Sequence, residues 1–311
     1  MSQLAERTGA DDAPVPDAED AREEARRTET ASGYRAGRTL PLRVELIRQL
    51  KRRRTMVMFA ILALMPFVLA VAFAVGGGEQ NNRGEVDDHL NLMDTATQSG
   101  ANFAAVNLFV SAGFLLVVPV ALFCGDTVAS EASWSSLRYL LAAPVPRARL
   151  LWSKLTVALG LSLAAMIILP VIALAVGGVV YGWGSLQLPT GGGVTPGTAA
   201  QRLVVVVAYV FVSQLVTAGL AFWLSTKTDA PLGAVGGAVG LTIVGNVLDQ
   251  VTALGSWRDF LPAHWNYAWA DAVQPRPEWS GMIQGAALSV TYAVVLFALA
   301  FRGFARKDVV S

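Results

Sequence analysis

Apolar residues in this chain gather into long uncharged runs instead of alternating with polar ones. Charge-free windows occupy 55–78, 95–125, 155–201, 203–226, 230–248 and 279–301. A membrane-spanning helix needs about 20 mostly apolar residues. The third window is too long for one span, but its second half, GWGSLQLPTGGGVTPG at 182–197, is turn-rich, so helix need continue only to Val180. The pattern therefore predicts six spans, over 56–76, 102–124, 153–180, 201–224, 232–254 and 282–304. The fold class is all-α, a polytopic membrane protein.

The flanks of these runs differ in kind. Residues 1–38 carry Ala, Asp, Glu, Arg and Pro with almost no large apolar residue. Such a segment buries too little surface to offset its ordering entropy, so a disordered tail is expected. SGYRAGRT at 32–39 lacks the glycine spacing and the lysine of a phosphate loop, and no strand precedes it. Over 39–54 the character changes. Leu42, Leu46 and Leu50 recur every four residues, while Arg48, Lys51, Arg52, Arg53 and Arg54 supply charge. A topology signal alone needs no leucine stripe, so this segment reads as an amphipathic helix in the headgroup plane, with those five cations facing the membrane surface. The organisation is a tail at 1–38, an interfacial helix at 39–54, a six-span domain at 55–305 and a short tail at 306–311.

Composition agrees: 54% of residues are hydrophobic and only 15% charged, against about 25% charged in soluble domains. Charge also sets orientation. With six spans, 20 of the 24 Lys and Arg fall on one side, leaving Arg83, Arg202, Arg258 and Arg276 on the other. Basic residues favour the cytoplasmic face, so both termini are expected in the cytoplasm of a multi-pass plasma-membrane protein. The single cysteine, Cys124, excludes an internal disulfide, and no Cys/His cluster suggests a metal.

One polar segment between spans carries patterned charge, GDTVASEASWSSLRYLLAAPVPRARLLWSK at 125–154. As a helix from Thr127 to Leu141, it aligns Glu131, Ser135 and Arg138 on one stripe, with Trp134, Leu137 and Leu141 on another. Pro144 and Pro146 then stop the helix, and Arg147, Arg149 and Lys154 precede the next apolar run. An amphipathic helix ending at a proline break suits the docking of a soluble partner.

The order Asp126, Glu131, Leu137-Arg138, Leu140-Leu141, Pro144, Arg147 and Lys154 resembles the first cytoplasmic loop of type 2 ABC exporter permeases. Ser135-Ser136 stand where that family has Gly-Thr, and Ser153 where it has Gly. The resemblance implies that the segment is a coupling helix moved by a separate ATPase subunit. It also implies that 39–54 is a connecting helix, that two six-span units (identical or different) face each other, and that ATP and magnesium are held by the partner and not by this chain. Glu131, Trp134, Leu137, Arg138 and Arg147 are then the ATPase-docking candidates. Membrane lipid is a further partner, and nucleic acid is not expected.

Within the spans, Gln214 and Asn246 are uncharged polar residues, and Asp249 lies near the outer end of the fifth. Polar groups inside a membrane are costly unless they face a cavity, so these three are candidates for a substrate pathway. Pro66, Pro119 and Pro170 fall inside spans, where kinks for packing or gating are tolerated. Residues 256–281 are rich in aromatic residues, four of them Trp, as suits an interface, and the resemblance implies a re-entrant hairpin there. No phosphate loop, His-Glu-x-x-His pair or nucleophile elbow is present, so the chain is not read as an enzyme. An exporter permease moving an amphipathic substrate is the leading expectation. A stand-alone ion-coupled transporter, which would need carboxylates inside its spans, and a non-transporting anchor or sensor subunit are the alternatives.

Overall fold

The computed structural model describes residues 42–76, 93, 95–133, 146–187, 192–274 and 277–306. A short helix α1 (Leu42–Leu50) leads into α2 (Arg53–Gly76). Next come α3 (Gly100–Ala112) and α4 (Val117–Ser133), then α5 (Arg147–Val180). A two-stranded hairpin, β1 (Leu186–Gln187) and β2 (Gly193–Val194), pairs antiparallel with Leu186 opposite Val194. It is followed by α6 (Pro196–Ser213), α7 (Leu215–Lys227) and α8 (Pro231–Asp249). Three short 3-10 helices then occupy Thr252–Phe260, Pro262–Trp265 and Ala268–Val273, before α9 (Ser280–Ala305). The protein is all-α apart from the hairpin, and multi-pass.

Among the described residues five helical runs are long and apolar enough to cross a membrane: α2, α5, α6 with α7, α8 and α9. The second predicted span is not one straight helix. It is the pair α3 and α4, bent by 52°. The pair nevertheless runs the length of α5: Gly100 lies against Gly177 and Gly178 at one end of α5, and Glu131 meets Lys154 at the other. It therefore counts as the sixth crossing.

The cause of the bend is local. Pro119 is the third residue of α4, where a missing N–H costs nothing, but its ring excludes a straight continuation past the carbonyl of Leu115. The chain passes 113–116 through a wide bond from Leu116 N to Ser111 O, 2.9 Å. Pro119 thus opens a helix, whereas Pro66 and Pro170 lie inside continuous α2 and α5. Gly113 lies in the bend because an added Cβ would sit 2.5 Å from the Tyr267 hydroxyl.

Helix α4 packs between α5, α7 and α8, and α7 packs in turn on α9. Phe123, Cys124, Val128 and Ala129 of α4 are buried there with Leu151, Leu155 and Phe222. Glycine permits the closest approaches: a Cβ on Gly100 would lie 2.6 Å from the backbone nitrogen of Gly178, so α3 and α5 touch through their main chains. By contrast α2 exposes Val57, Ile61, Leu64, Val68 and Val71, as a lipid-facing helix must when no water surrounds it. On α8, Gly237 packs against Leu224, whereas Gly236 and Gly240 meet nothing within 4 Å.

Two sequence expectations change. The helix expected to begin at Thr127 is, as far as Ser133, the buried end of the same helix that crosses the membrane. Helix formers on both sides of Gly125 give no reason to stop, and Gly125 lets α4 press against the backbone of Val235. The interfacial segment also does not continue as one helix to residue 54: α1 ends at Leu50, and Arg53 already belongs to α2. The tail 1–38, the acidic residues 79–88 and the final residues 307–311 lie outside the described residues.

Candidate functional site

The charged residues at the α4 and α5 ends build two neighbouring clusters on α4, one around Glu131 and one around Asp126. Lys154, in the second turn of α5, donates to Glu131 Oε1 at 2.5 Å, and the two side chains are 1% and 3% exposed. Arg48 of α1 also pairs with Glu131 and reaches Glu45 at 2.7 Å. Lys154 lies 3.5 Å from Glu45, which accepts from Gln49 at 3.1 Å as well. One turn back along α4, Asp126 takes Arg52 at 2.5 Å and Arg54 at 2.7 Å, and Arg52 reaches Ser130 at 3.2 Å. Among the described residues four cations and three carboxylates thus join α1, α2, α4 and α5.

This network explains the orientation of α1. Glu45 and Gln49 are buried, while Leu42, Val44, Leu46, Ile47 and Leu50 are exposed. The polar face looks into the protein and the leucine stripe looks out. Burial alone would push the Glu45 carboxyl up, but Lys154 and Arg48 outweigh it and hold the group below the usual carboxylate value. Burial likewise opposes the Arg48 charge, and Glu131 with Glu45 more than restores it. The buried members, Glu131, Lys154, Glu45 and Asp126, are desolvated, so each needs its partner charges to remain stable.

Of the five predicted docking residues, Glu131 sits inside this network and Arg147 lies exposed at the start of α5, donating to the carbonyl of Ala305 at 3.3 Å. Trp134, Leu137 and Arg138 lie outside the described residues. Among the five predicted surface cations, Arg48, Arg52 and Arg54 pair with carboxylates, Arg48 and Arg54 while still exposed, and Lys51 and Arg53 are exposed. An open cavity of about 650 Å³ beside them is lined by Arg48, Arg52, Arg53, Arg54, Asp126 and Glu131.

Two of the three pathway candidates, Gln214 and Asn246, reach the bend in the second span. Gln214, the single residue between α6 and α7, is 4% exposed and donates to Ala112 O at 3.1 Å. Asn246 donates to Gly113 O at 3.3 Å and accepts from Asn266 at 3.2 Å. Both therefore satisfy carbonyls that the bend releases from helical bonding, which an apolar surrounding would otherwise leave costly. Asp249 behaves differently. As the last residue of α8 it meets His264 Nδ1 at 2.7 Å and Arg258 at 3.3 Å, tying the 3-10 segment to α8. In that segment Trp269, Ala272 and Val273 are buried, and Tyr209 donates to the carbonyl of Trp265 at 2.5 Å.

Sequence reading missed Ser225, whose hydroxyl accepts from the backbone N–H of Val128 and Ala129 at 3.1 and 3.0 Å, linking α7 to α4. It also missed Asn102, which clamps the hairpin through both backbone groups of Gln187, at 2.7 and 2.8 Å. A small polar residue in an apolar run was the available signal in each case.

Comparison with curated proteins found no match. The family model described as ABC-2 family transporter protein matches residues 42–228. That region is more than half of the chain and contains α1, the whole charge network and the residues on which the resemblance rests. The match and the multi-pass helical fold together establish that the chain belongs to the ABC-2 transporter family, as a membrane permease.

Proposed function

We propose that the chain is the permease half of an ATP-driven exporter, moved by a separate ATPase that docks on the loop between α4 and α5. The observation that carries this reading is the buried network of Glu131, Lys154, Arg48 and Glu45. A loop that receives force from a soluble subunit must be fixed to the spans it moves, and both flanks of this loop are so fixed. Glu131 at the end of α4 and Lys154 near the start of α5 form an ion pair, and α1 is clamped across them. Displacement of the loop is then delivered to two spans and to an interfacial helix at once.

In this scheme Glu131 transmits force through Lys154 and Arg48. Trp134, Leu137, Arg138 and Arg147 supply the contact with the ATPase. ATP and magnesium act on that partner, and a second permease copy or homologue faces this one. The exposed leucine stripe of α1, with Lys51 and Arg53, lies against lipid headgroups, and both termini are cytoplasmic. The bend at 113–116, held by Gln214 and Asn246, lies on the substrate pathway. The cargo class is amphipathic: a lipid, drug or natural product. An ion-coupled carrier is disfavoured because Asp249, the one carboxylate that motivated it, is engaged by Arg258 and His264 at the end of α8.

Charge reversal tests the docking assignment. Arg138→Glu and Arg147→Glu are expected to abolish ATPase co-purification and transport while membrane insertion is retained. Intact association and transport in both variants would remove the loop from the docking role.

A further inference from the structure

Three cations outside the charge network converge on one cavity. Lys227 ends α7, Arg302 lies in the last turn of α9, and Arg306 follows it. With Trp223, Leu299 and Gly303 they line an open cavity of about 500 Å³. No carboxylate lines it among the described residues. Among the described residues none of the three cations makes an ion pair there, and all three are exposed. Lys227 reaches the cavity because Gly303 has no side chain: a Cβ there would lie 3.2 Å from the lysine Nζ. This site is at the same end of the bundle as the network, since Arg147 bonds to Ala305 and the Trp152 ring packs 5.1 Å from Phe301.

A cation at a helix C-terminus complements the helix dipole, which accounts for the sign of each charge. It does not account for three of them sharing one cavity with a half-buried tryptophan. From the cavity an exposed apolar strip runs along α9 through Leu299 (44% exposed) and Val295 (53%). Three convergent cations, a neighbouring indole and an exposed apolar strip leading away along α9 together match one ligand shape.

We propose that Lys227, Arg302 and Arg306 form a binding site for the phosphate headgroup of an anionic phospholipid, whose acyl chain lies along Leu299 and Val295. No residue of the docking loop or of the bend lines the cavity, so the assignment does not depend on the exporter reading. A bound lipid here would join the ends of α7 and α9, both of which border the charged end of the bundle.

The test is native mass spectrometry of the full chain, delipidated in detergent and titrated with dioleoyl phosphatidylglycerol or dioleoyl phosphatidylcholine. Phosphatidylglycerol is expected to bind at least about tenfold more tightly, and each single change, Lys227→Gln, Arg302→Gln or Arg306→Gln, to weaken it about fivefold. The charge-preserving pair Arg302→Lys with Arg306→Lys is expected to keep the preference, which separates charge loss from misfolding. Millimolar inorganic phosphate is expected not to displace the lipid. Equal binding of the two lipids, undiminished preference in all three single variants, or displacement by phosphate would each overturn the assignment.

Discussion

Lys154 and Glu131 face each other at 2.5 Å from the starts and ends of consecutive spans, with almost no exposure on either side. Removing one partner of a buried pair leaves the other charge desolvated, at about 3–5 kcal/mol, whereas removing both together is far less costly. Glu131→Gln and Lys154→Met are therefore each expected to lower the unfolding midpoint in detergent strongly. The double variant is expected to recover most of the loss. Additive losses in the double variant would show that the pair does not act as a unit.

The same network makes the seating of α1 sensitive to acid. Glu45 titrates below its ordinary value of 4.5 when folded, burial being outweighed by Lys154 and Arg48. A depressed folded pKa means that the charged carboxyl stabilises docking above the unfolded pKa, and that this stabilisation is lost as the pH falls through the lower, folded value. A spin label at position 51 is expected to gain mobility in that acid window. In Glu45→Gln the label should be mobile at neutral pH too, with no further change attributable to this group. Equal label mobility in both proteins at every pH would contradict the clamp.

At the bend, Gly113→Ala would place a methyl 2.5 Å from the Tyr267 hydroxyl, and overpacking of this kind costs about 1–3 kcal/mol. Because the obstacle is the tip of one side chain, Tyr267→Phe in the same protein is expected to restore stability. Gly100→Ala, which meets the backbone of Gly178, has no such remedy and is expected to remain destabilised in any single-residue second-site background. Thermal unfolding of these variants in one detergent decides both points.

Gln214→Leu keeps the volume but removes the donor to Ala112 O. An unsatisfied buried carbonyl costs about 1–3 kcal/mol, so lower stability and increased hydrogen exchange across 111–116 are expected. Unchanged exchange at the bend would show that the bond does not hold it.

The six crossings were legible because uncharged length is what a bilayer demands, and the order of spans needs no tertiary information. The bend at 113–116 was not. Pro119 was visible, but whether a proline kinks a helix or begins one depends on where the chain turns upstream, and SAGFLLVV carries no break stronger than Gly113. Glu131 illustrates the same limit at the site. Its neighbours four and seven residues along suggested a surface stripe, yet its partners are Lys154, across a loop, and Arg48, in a different helix. Asp126, Glu131 and Lys154 did stand out as family-like residues, and they are the ones that the structure gathers. For α1 the leucine stripe was plain, while the reason for its outward orientation, the buried Glu45 and Gln49, lay on the face that read as solvent-exposed.

Purification of the full chain from its native membrane in mild detergent, followed by mass spectrometry and an ATP hydrolysis assay, tests the central claim most directly. The account predicts a stoichiometric, separately encoded ATPase whose recovery falls when Arg138 is reversed in charge. A chain recovered alone, with no ATP hydrolysis and no ATPase subunit in the preparation, would contradict it.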